Sequence, residues 1–203
     1  MTMLKQTNIV IAGVGGQGVI TAANILGKAA VKTNTYIIAS EIHGMAQRGG
    51  TVNCMVRMGD VASPLVPTGC AHVILSLEPI EALRYIMYAN KKTQIITDIN
   101  PVIPFTVAVG GEQYPKLEEV CAELKRYGIV YTVDALHVAR EAGAVITKNI
   151  VMLGALAASE VLPFSSDILL DTILEAIPEK YKDVNRKAFE GGMKAYHTSK
   201  YER

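Results

Sequence analysis

Near its start the chain reads Asn8-Ile9-Val10-Ile11-Ala12, then Gly13-Val14-Gly15-Gly16-Gln17-Gly18. From Thr21 to Val31 it becomes an alanine-bearing run interrupted only by Gly27. No other stretch restricts the fold so strongly. A short apolar run ending in glycine reads as a buried strand, and the run after the glycines reads as a helix packed closely on a sheet. Tyr36 to Ala39 is a second strand. Strand, loop, helix, strand is the opening unit of a parallel sheet, because parallel neighbours need a crossover.

The rest of the chain continues in kind. Strands are predicted over Thr51–Met58, Val73–Leu77, Gln94–Thr97 and Ile129–Val133, and helices over Pro79 to about Ala89, Leu117–Tyr127 and Ala135–Ala142. Pro101 and Pro104 leave Phe105–Val109 as an edge strand at best. Asn149–Val161, Ser166–Ile177 and Lys180–Tyr196 read as three closing helices. No repeat or long linker separates these pieces, and 203 residues, half of them hydrophobic, suit one core. The expectation is one domain over residues 1–203, with closing helices from about 149. Its fold class is α/β: a three-layer α/β/α, Rossmann-like, mainly parallel sheet with room for antiparallel edge strands.

Charge and cysteine usage narrow the function. A formal net charge of +1 gives no field for nucleic acid or an anionic membrane, so any anion must be held locally. The longest apolar stretch, Ile150 to Ala158, is far short of the ~20 residues of a membrane span. The first residues lack the pattern of a secretory leader, so a cytoplasmic location is expected. Cys54, Cys70 and Cys121 are widely spaced without a Cys-x-x-Cys, against a disulfide framework and against an iron–sulfur cluster held by this chain alone. His43, His72, His137 and His197 lack metal-ligand spacing. Asp98 and Asp134 follow predicted strands, where helix capping is the common role. Lys180 to Arg203, with seven basic and three acidic residues, reads as a solvated helix covering its own domain, or as a basic docking arm.

Gly13, Gly15, Gly16, Gln17 and Gly18 form a G-x-G-x-x-G loop. Such a loop lets backbone approach a ligand, and the helix behind it offers unpaired N–H groups. Three readings stay open: a tight turn without ligand, a site for a phosphate-bearing group, and an NAD site. Glu41, 23 residues beyond Gly18, stands where a ribose-binding carboxylate would be sought. Soon afterwards comes His43-Gly44-Met45-Ala46-Gln47-Arg48-Gly49-Gly50, which crowds an imidazole, a carboxamide and a guanidinium between glycines. Parallel-sheet geometry brings both loops to the carboxyl edge, where ligands and partners dock. Such polar loops also commonly brace one another.

The two loops in tandem resemble the gamma domain of the 2-oxoacid:ferredoxin oxidoreductases, most closely the small (beta) subunits of the indolepyruvate enzymes. Ser63-Pro64-Leu65-Val66-Pro67, Glu78-Pro79-Ile80-Glu81-Ala82-Leu83-Arg84 and Asn149-Ile150-Val151-Met152-Leu153-Gly154-Ala155-Leu156 extend the likeness over nearly the whole chain. The resemblance implies an enzyme that oxidatively decarboxylates arylpyruvates to aryl-acetyl-CoA and passes electrons to ferredoxin. It implies a large partner subunit carrying thiamine diphosphate and [4Fe–4S] clusters, with ferredoxin reached through that partner. This chain would contribute no catalytic residue, no metal and no tightly bound cofactor, with CoA as a shared ligand. Glu41, His43, Gln47, Arg48, Gly49 and Gly50 would form an interface or active-site wall. Competing readings are the gamma subunit of a pyruvate or branched-chain 2-oxoacid enzyme, a free-standing NAD-dependent oxidoreductase, and a structural scaffold.

Overall fold

The computed structural model describes residues 6–44, 49–103, 110 and 113–199. Six strands form its sheet: β1 (Thr7–Val14), β2 (Ile37–His43), β3 (Thr51–Met58), β4 (Val73–Ser76), β5 (Gln94–Asp98) and β6 (Ile129–Val133). Seven α-helices accompany them: α1 (Val19–Lys32), α2 (Pro79–Arg84), α3 (Leu117–Lys125), α4 (Ala135–Ala142), α5 (Lys148–Ala158), α6 (Ser166–Glu175) and α7 (Lys182–Thr198).

The strand order is β2-β3-β1-β4-β5-β6. β1, β4, β5 and β6 pair in parallel, as βαβ crossovers require. In β1, Ile9 to Ala12 are fully buried, the signature of a strand covered on both faces. Alternate residues then feed two cores. Ile9 and Ile11 join α1, α4, α5, α6 and α7 on one face, whereas Val10 joins α2 and α3 on the other. The α/β three-layer expectation holds.

One part of the opening unit is different. β1 and β2 are not neighbours, because β3 turns back between them and pairs antiparallel with both. The parallel unit expected from residues 8–39 is thus opened by a hairpin. The antiparallel pairs lie toward one edge of the sheet. The helix expected to reach Ala89 stops at Arg84 and gives way to a 3-10 turn at Ile86–Tyr88. Phe105–Val109 lies outside the described residues.

The closing helices form a packed layer. A Cβ on Gly154 of α5 would stand 2.0 Å from the Phe189 carbonyl oxygen, and one on Gly192 of α7 would stand 1.9 Å from that of Val151. Two glycines therefore let these helix backbones meet directly. Within the basic C-terminal segment, α7 packs on its own domain through this contact, with its Ala188 and Phe189 buried.

Candidate functional site

The two glycine loops meet. The Gly15 N–H donates to the Gly50 carbonyl at 2.8 Å, tying the turn after β1 to the residue before β3. Gln17 braces the first loop from inside: its Oε1 accepts from the Val14 N–H at 2.7 Å, and its Nε2 donates to the Leu77 carbonyl at 2.9 Å. Its amide is thereby committed to protein. Gly18, which enters α1 at φ +87°, suits glycine twice over, since an added Cβ would also lie 2.7 Å from Asn149 Nδ2.

Beside this loop a cavity of about 230 Å³ opens at the carboxyl edge, lined among others by Gly16, Gln17, Asp98, Lys148 and Asn149. Asp98 ends β5 fully buried. Its Oδ1 accepts from the Asn100 N–H at 3.2 Å, Asn100 Nδ2 at 2.8 Å and the Ala135 N–H at 3.2 Å. Lys148 Nζ stands 2.6 Å from its Oδ2, an ion pair whose angles fall outside those of a hydrogen bond. A buried carboxylate needs such partners, and the pairing anchors the lysine at the cavity wall.

Lys148 opens α5, where a cation opposes the helix dipole. Two helices begin at this cavity, α1 behind Gly18 and α5 at Lys148. Neither has a side-chain cap or an acidic residue in its first turn. The other five α-helices among the described residues each have one or both: Glu78 and Glu81 at α2, Glu118 and Glu119 at α3, Asp134 at α4, Ser165 and Asp167 at α6, Asp183 at α7. The two helix starts at the cavity thus bring no acid of their own, and the Lys148 ammonium there is shared with the buried Asp98 carboxylate. Unpaired N–H groups at a helix start can take an anion. Sequence reasoning missed Lys148 because a lysine at a helix start looks like an ordinary surface residue.

Asp134 takes the capping role expected of it, accepting from the His137 N–H at 3.0 Å and also from Asn100 Nδ2 at 2.9 Å. Burial opposes its ionisation, but these hydrogen bonds and the charges of His137 and Lys148 outweigh burial and hold the carboxyl below its ordinary value. Asp98 does more than cap: it is the buried counter-charge of Lys148.

In the second loop, Gly44 donates to the Thr51 carbonyl at 3.4 Å, closing the β2–β3 hairpin, and Gly49 adopts φ +78°. Gln47 and Arg48 lie outside the described residues, as does the His43 side chain. Glu41 is exposed on β2 opposite Cys54, which is itself opposite Ile11 of β1. Burial first, then the Glu41 charge, pushes the Cys54 thiol up to about 11. β3 therefore separates Glu41 from the glycine-loop strand by two inter-strand spacings, roughly 10 Å. A ribose carboxylate belongs on the adjacent parallel strand, so the NAD geometry is not met.

Beneath the hairpin lies a polar cluster that sequence reasoning quoted only as part of a motif. Glu78 caps α2 by accepting from the Glu81 N–H at 3.1 Å, and its other oxygen accepts from the Val102 N–H at 3.3 Å and from the Tyr114 hydroxyl. Glu81 Oε1 accepts from Arg84 Nε at 3.2 Å and Thr51 Oγ1 at 3.4 Å, while its Oε2 is buried without a hydrogen bond. Burial holds the Glu81 carboxyl above its ordinary value, assisted by the Glu78 charge and opposed by Arg84 and Thr51. Burial and the bond to Glu78 raise the Tyr114 phenol likewise.

Residues 8–195 match the model of the pyruvate ferredoxin/flavodoxin oxidoreductase family. The chain belongs to this family. Its relatives include indolepyruvate oxidoreductase subunit IorB of Pyrococcus horikoshii, 47% identical over 95% of this chain and 96% of that one. IorB of Thermococcus kodakarensis is 45% identical with the same coverage, whereas the pyruvate/ketoisovalerate oxidoreductases common subunit gamma of that organism is 30% identical over 88% and 90%. The fold matches pyruvate oxidoreductase subunit PORC of Thermotoga maritima with a TM-score of 0.71 and 23% identity, covering 94% of this chain and 96% of that one. The resemblance drawn from the paired loops therefore holds, and this family member is of the oxidoreductase-subunit kind.

Proposed function

We propose that this chain is the small subunit of an indolepyruvate:ferredoxin oxidoreductase, which converts aryl 2-oxoacids to aryl-acetyl-CoA with electrons passed to ferredoxin. The carrying observation is the end-to-end identity to IorB subunits, 45% against 30% for the pyruvate/ketoisovalerate gamma subunit of the same organism. That difference favours the arylpyruvate branch over the other 2-oxoacid branches.

In this reading thiamine diphosphate and the [4Fe–4S] clusters belong to a large partner subunit. The residues here do not fit a cluster: Cys54 is in β3, Cys70 in the β3–β4 connection and Cys121 on α3. No group of three or more potential metal ligands occurs among the described residues. Nor, among them, is any helix long and apolar enough to cross a membrane. The chain's own contribution is binding. Lys148 and the open ends of α1 and α5 would hold one phosphate-sized part of a CoA-type ligand, since about 230 Å³ is too small for the whole molecule. Gly13, Gly15, Gly16 and Gly18 shape that loop, and Gln17 keeps it in place. Glu41, His43, Gln47, Arg48, Gly49 and Gly50 would face the large subunit. Arg48 suits this role because its fork binds a carboxylate or phosphate with two parallel hydrogen bonds.

The test is reconstitution with the large subunit and CoA-dependent dye reduction. Indolepyruvate or phenylpyruvate should be preferred to pyruvate, and Arg48→Lys should weaken assembly or turnover while the lone chain stays folded. A strong preference for pyruvate or 2-oxoglutarate would move the chain to another branch.

A further inference from the structure

A second cavity lies among the helices. α1, the start of α5, the end of α6 and the start of α7 border a space of about 880 Å³. That is the size of a small-molecule site and far above the voids a packed core leaves. Its floor is branched and apolar, with Ile25, Ile150 and Ile173 buried there. Ile146 and Asn149 also line the cavity beside the glycine loop, so the two spaces share one wall.

The polar groups of this cavity are few and of two kinds. Asn185 of α7 lines it and is only 8% exposed. Its Nδ2 donates to the Tyr181 carbonyl at 2.8 Å, one turn earlier, which fixes the orientation of the amide. Among the described residues no donor reaches its Oδ1. A buried acceptor without a donor is costly, so this one calls for a partner from within the cavity.

Charge is supplied by Lys28 of α1 and by Lys180, whose ammonium stands 4.8 Å from the centre of the Tyr181 ring. Neither lysine has a carboxylate partner among the described residues. The neighbouring acids Glu175 and Glu179 are taken by Lys32 at 2.5 Å and Lys182 at 2.6 Å. No acidic residue lines the cavity among the described residues.

We propose that this cavity binds a small apolar carboxylate that carries one N–H or O–H donor. The apolar body lies on the isoleucine floor, the donor reaches Asn185 Oδ1, and the carboxylate meets the lysines at the mouth. The site is separate from the pairing of Lys148 with Asp98, and the inference does not rest on the proposed function.

Ligand-observed NMR titration of the intact chain tests it with three bicyclic compounds of similar size. Indole carboxylate has both the donor and the charge, naphthoate only the charge, and naphthalenemethanol only the donor. Indole carboxylate should bind with a Kd on the order of 0.1 to 1 mM. Naphthoate should bind roughly threefold to tenfold more weakly for want of the hydrogen bond. Naphthalenemethanol should bind roughly twofold to fivefold more weakly for want of the exposed charge contact. Lys28→Gln combined with Lys180→Gln should erase the disadvantage of naphthalenemethanol, and Asn185→Ser should erase that of naphthoate. Ala176→Trp, which sets a ring on the cavity wall from an exposed position, should block all three; it keeps the test decisive if Asn185→Ser fails to fold. Absence of binding overturns the proposal, as does binding indifferent to the lysine pair or to Ala176→Trp. Displacement of indole carboxylate by CoA would overturn it by making the cavity an extension of the first site. Loss of binding on adding the large subunit would overturn it by assigning these helices to that interface.

Discussion

Replacing Lys148 by Met separates its structural role from its role toward an anion. The ammonium stands 2.6 Å from a carboxylate oxygen that has no exposure. Removing one member of a buried pair costs about 3–5 kcal/mol, because the other charge is left uncompensated. Two features place Lys148→Met near the lower bound. Asp98 keeps three hydrogen bonds on Oδ1, and the lysine side chain is 25% exposed, which screens part of the interaction. A loss of about 3 kcal/mol corresponds to a fall in Tm of about 6–12 °C for a chain of this size. Adding Asp98→Asn removes the stranded charge, so the double variant should regain most of that loss. Urea unfolding of wild type, both single variants and the double variant gives the coupling directly, expected at about 2 kcal/mol or more. Thermal protection by pyrophosphate or CoA is the second readout. It should be present in wild type and absent from the stable double variant. Additive single variants would refute the pairing, and undiminished anion protection in the double variant would refute the site.

Other substitutions test the packing and the carboxylate cluster. Gly192→Ala and Gly154→Ala each drive a methyl group into a carbonyl oxygen of the facing helix, so each should lower stability by about 3 kcal/mol or more in urea melts. Gly27→Ala in α1 meets nothing within 4 Å and should stabilise the chain by about 0.5–1 kcal/mol in the same assay. Glu81→Gln should melt higher than wild type at neutral pH. Burial raises the folded Glu81 above its ordinary 4.5, so the wild-type contribution is full below that pH and lost as pH rises through the folded value. The advantage of Glu81→Gln should therefore shrink toward acid; an advantage constant with pH would place Glu81 in solvent.

Local structure was more legible than topology. β3, β6 and α4 begin and end where their residue patterns place them, because alternation, β-branching and the Gly143 stop are local signals. The insertion of β3 between β1 and β2 was not legible. Thr51–Met58 is buried on both faces, so its residues carry no mark of the direction in which it runs. The short helix α2 was overextended because Tyr85 to Ala89 keeps helical composition while its backbone tightens to a 3-10 turn. At the site, the glycine loops declared themselves through spacing, and their meeting followed from sheet architecture. Lys148 did not, since its significance depends on Asp98, fifty positions earlier in the chain, and on the absence of acids at two helix starts.

The single bond from the Gly15 N–H to the Gly50 carbonyl sets the size of the piece that can be transplanted. A chimera that swapped only the first loop between relatives would lose its acceptor, and one that swapped only the hairpin would lose its donor geometry. β3 is also the strand through which β2 is attached to β1, so neither half can be exchanged without disturbing the other. The smallest block that keeps both loops and the strand between them together runs from Thr7 to Met58, three strands and one helix, with Gln17 still reaching outside it to the Leu77 carbonyl. Grafts cut inside that block should misassemble, whereas grafts cut at its ends carry both loops together.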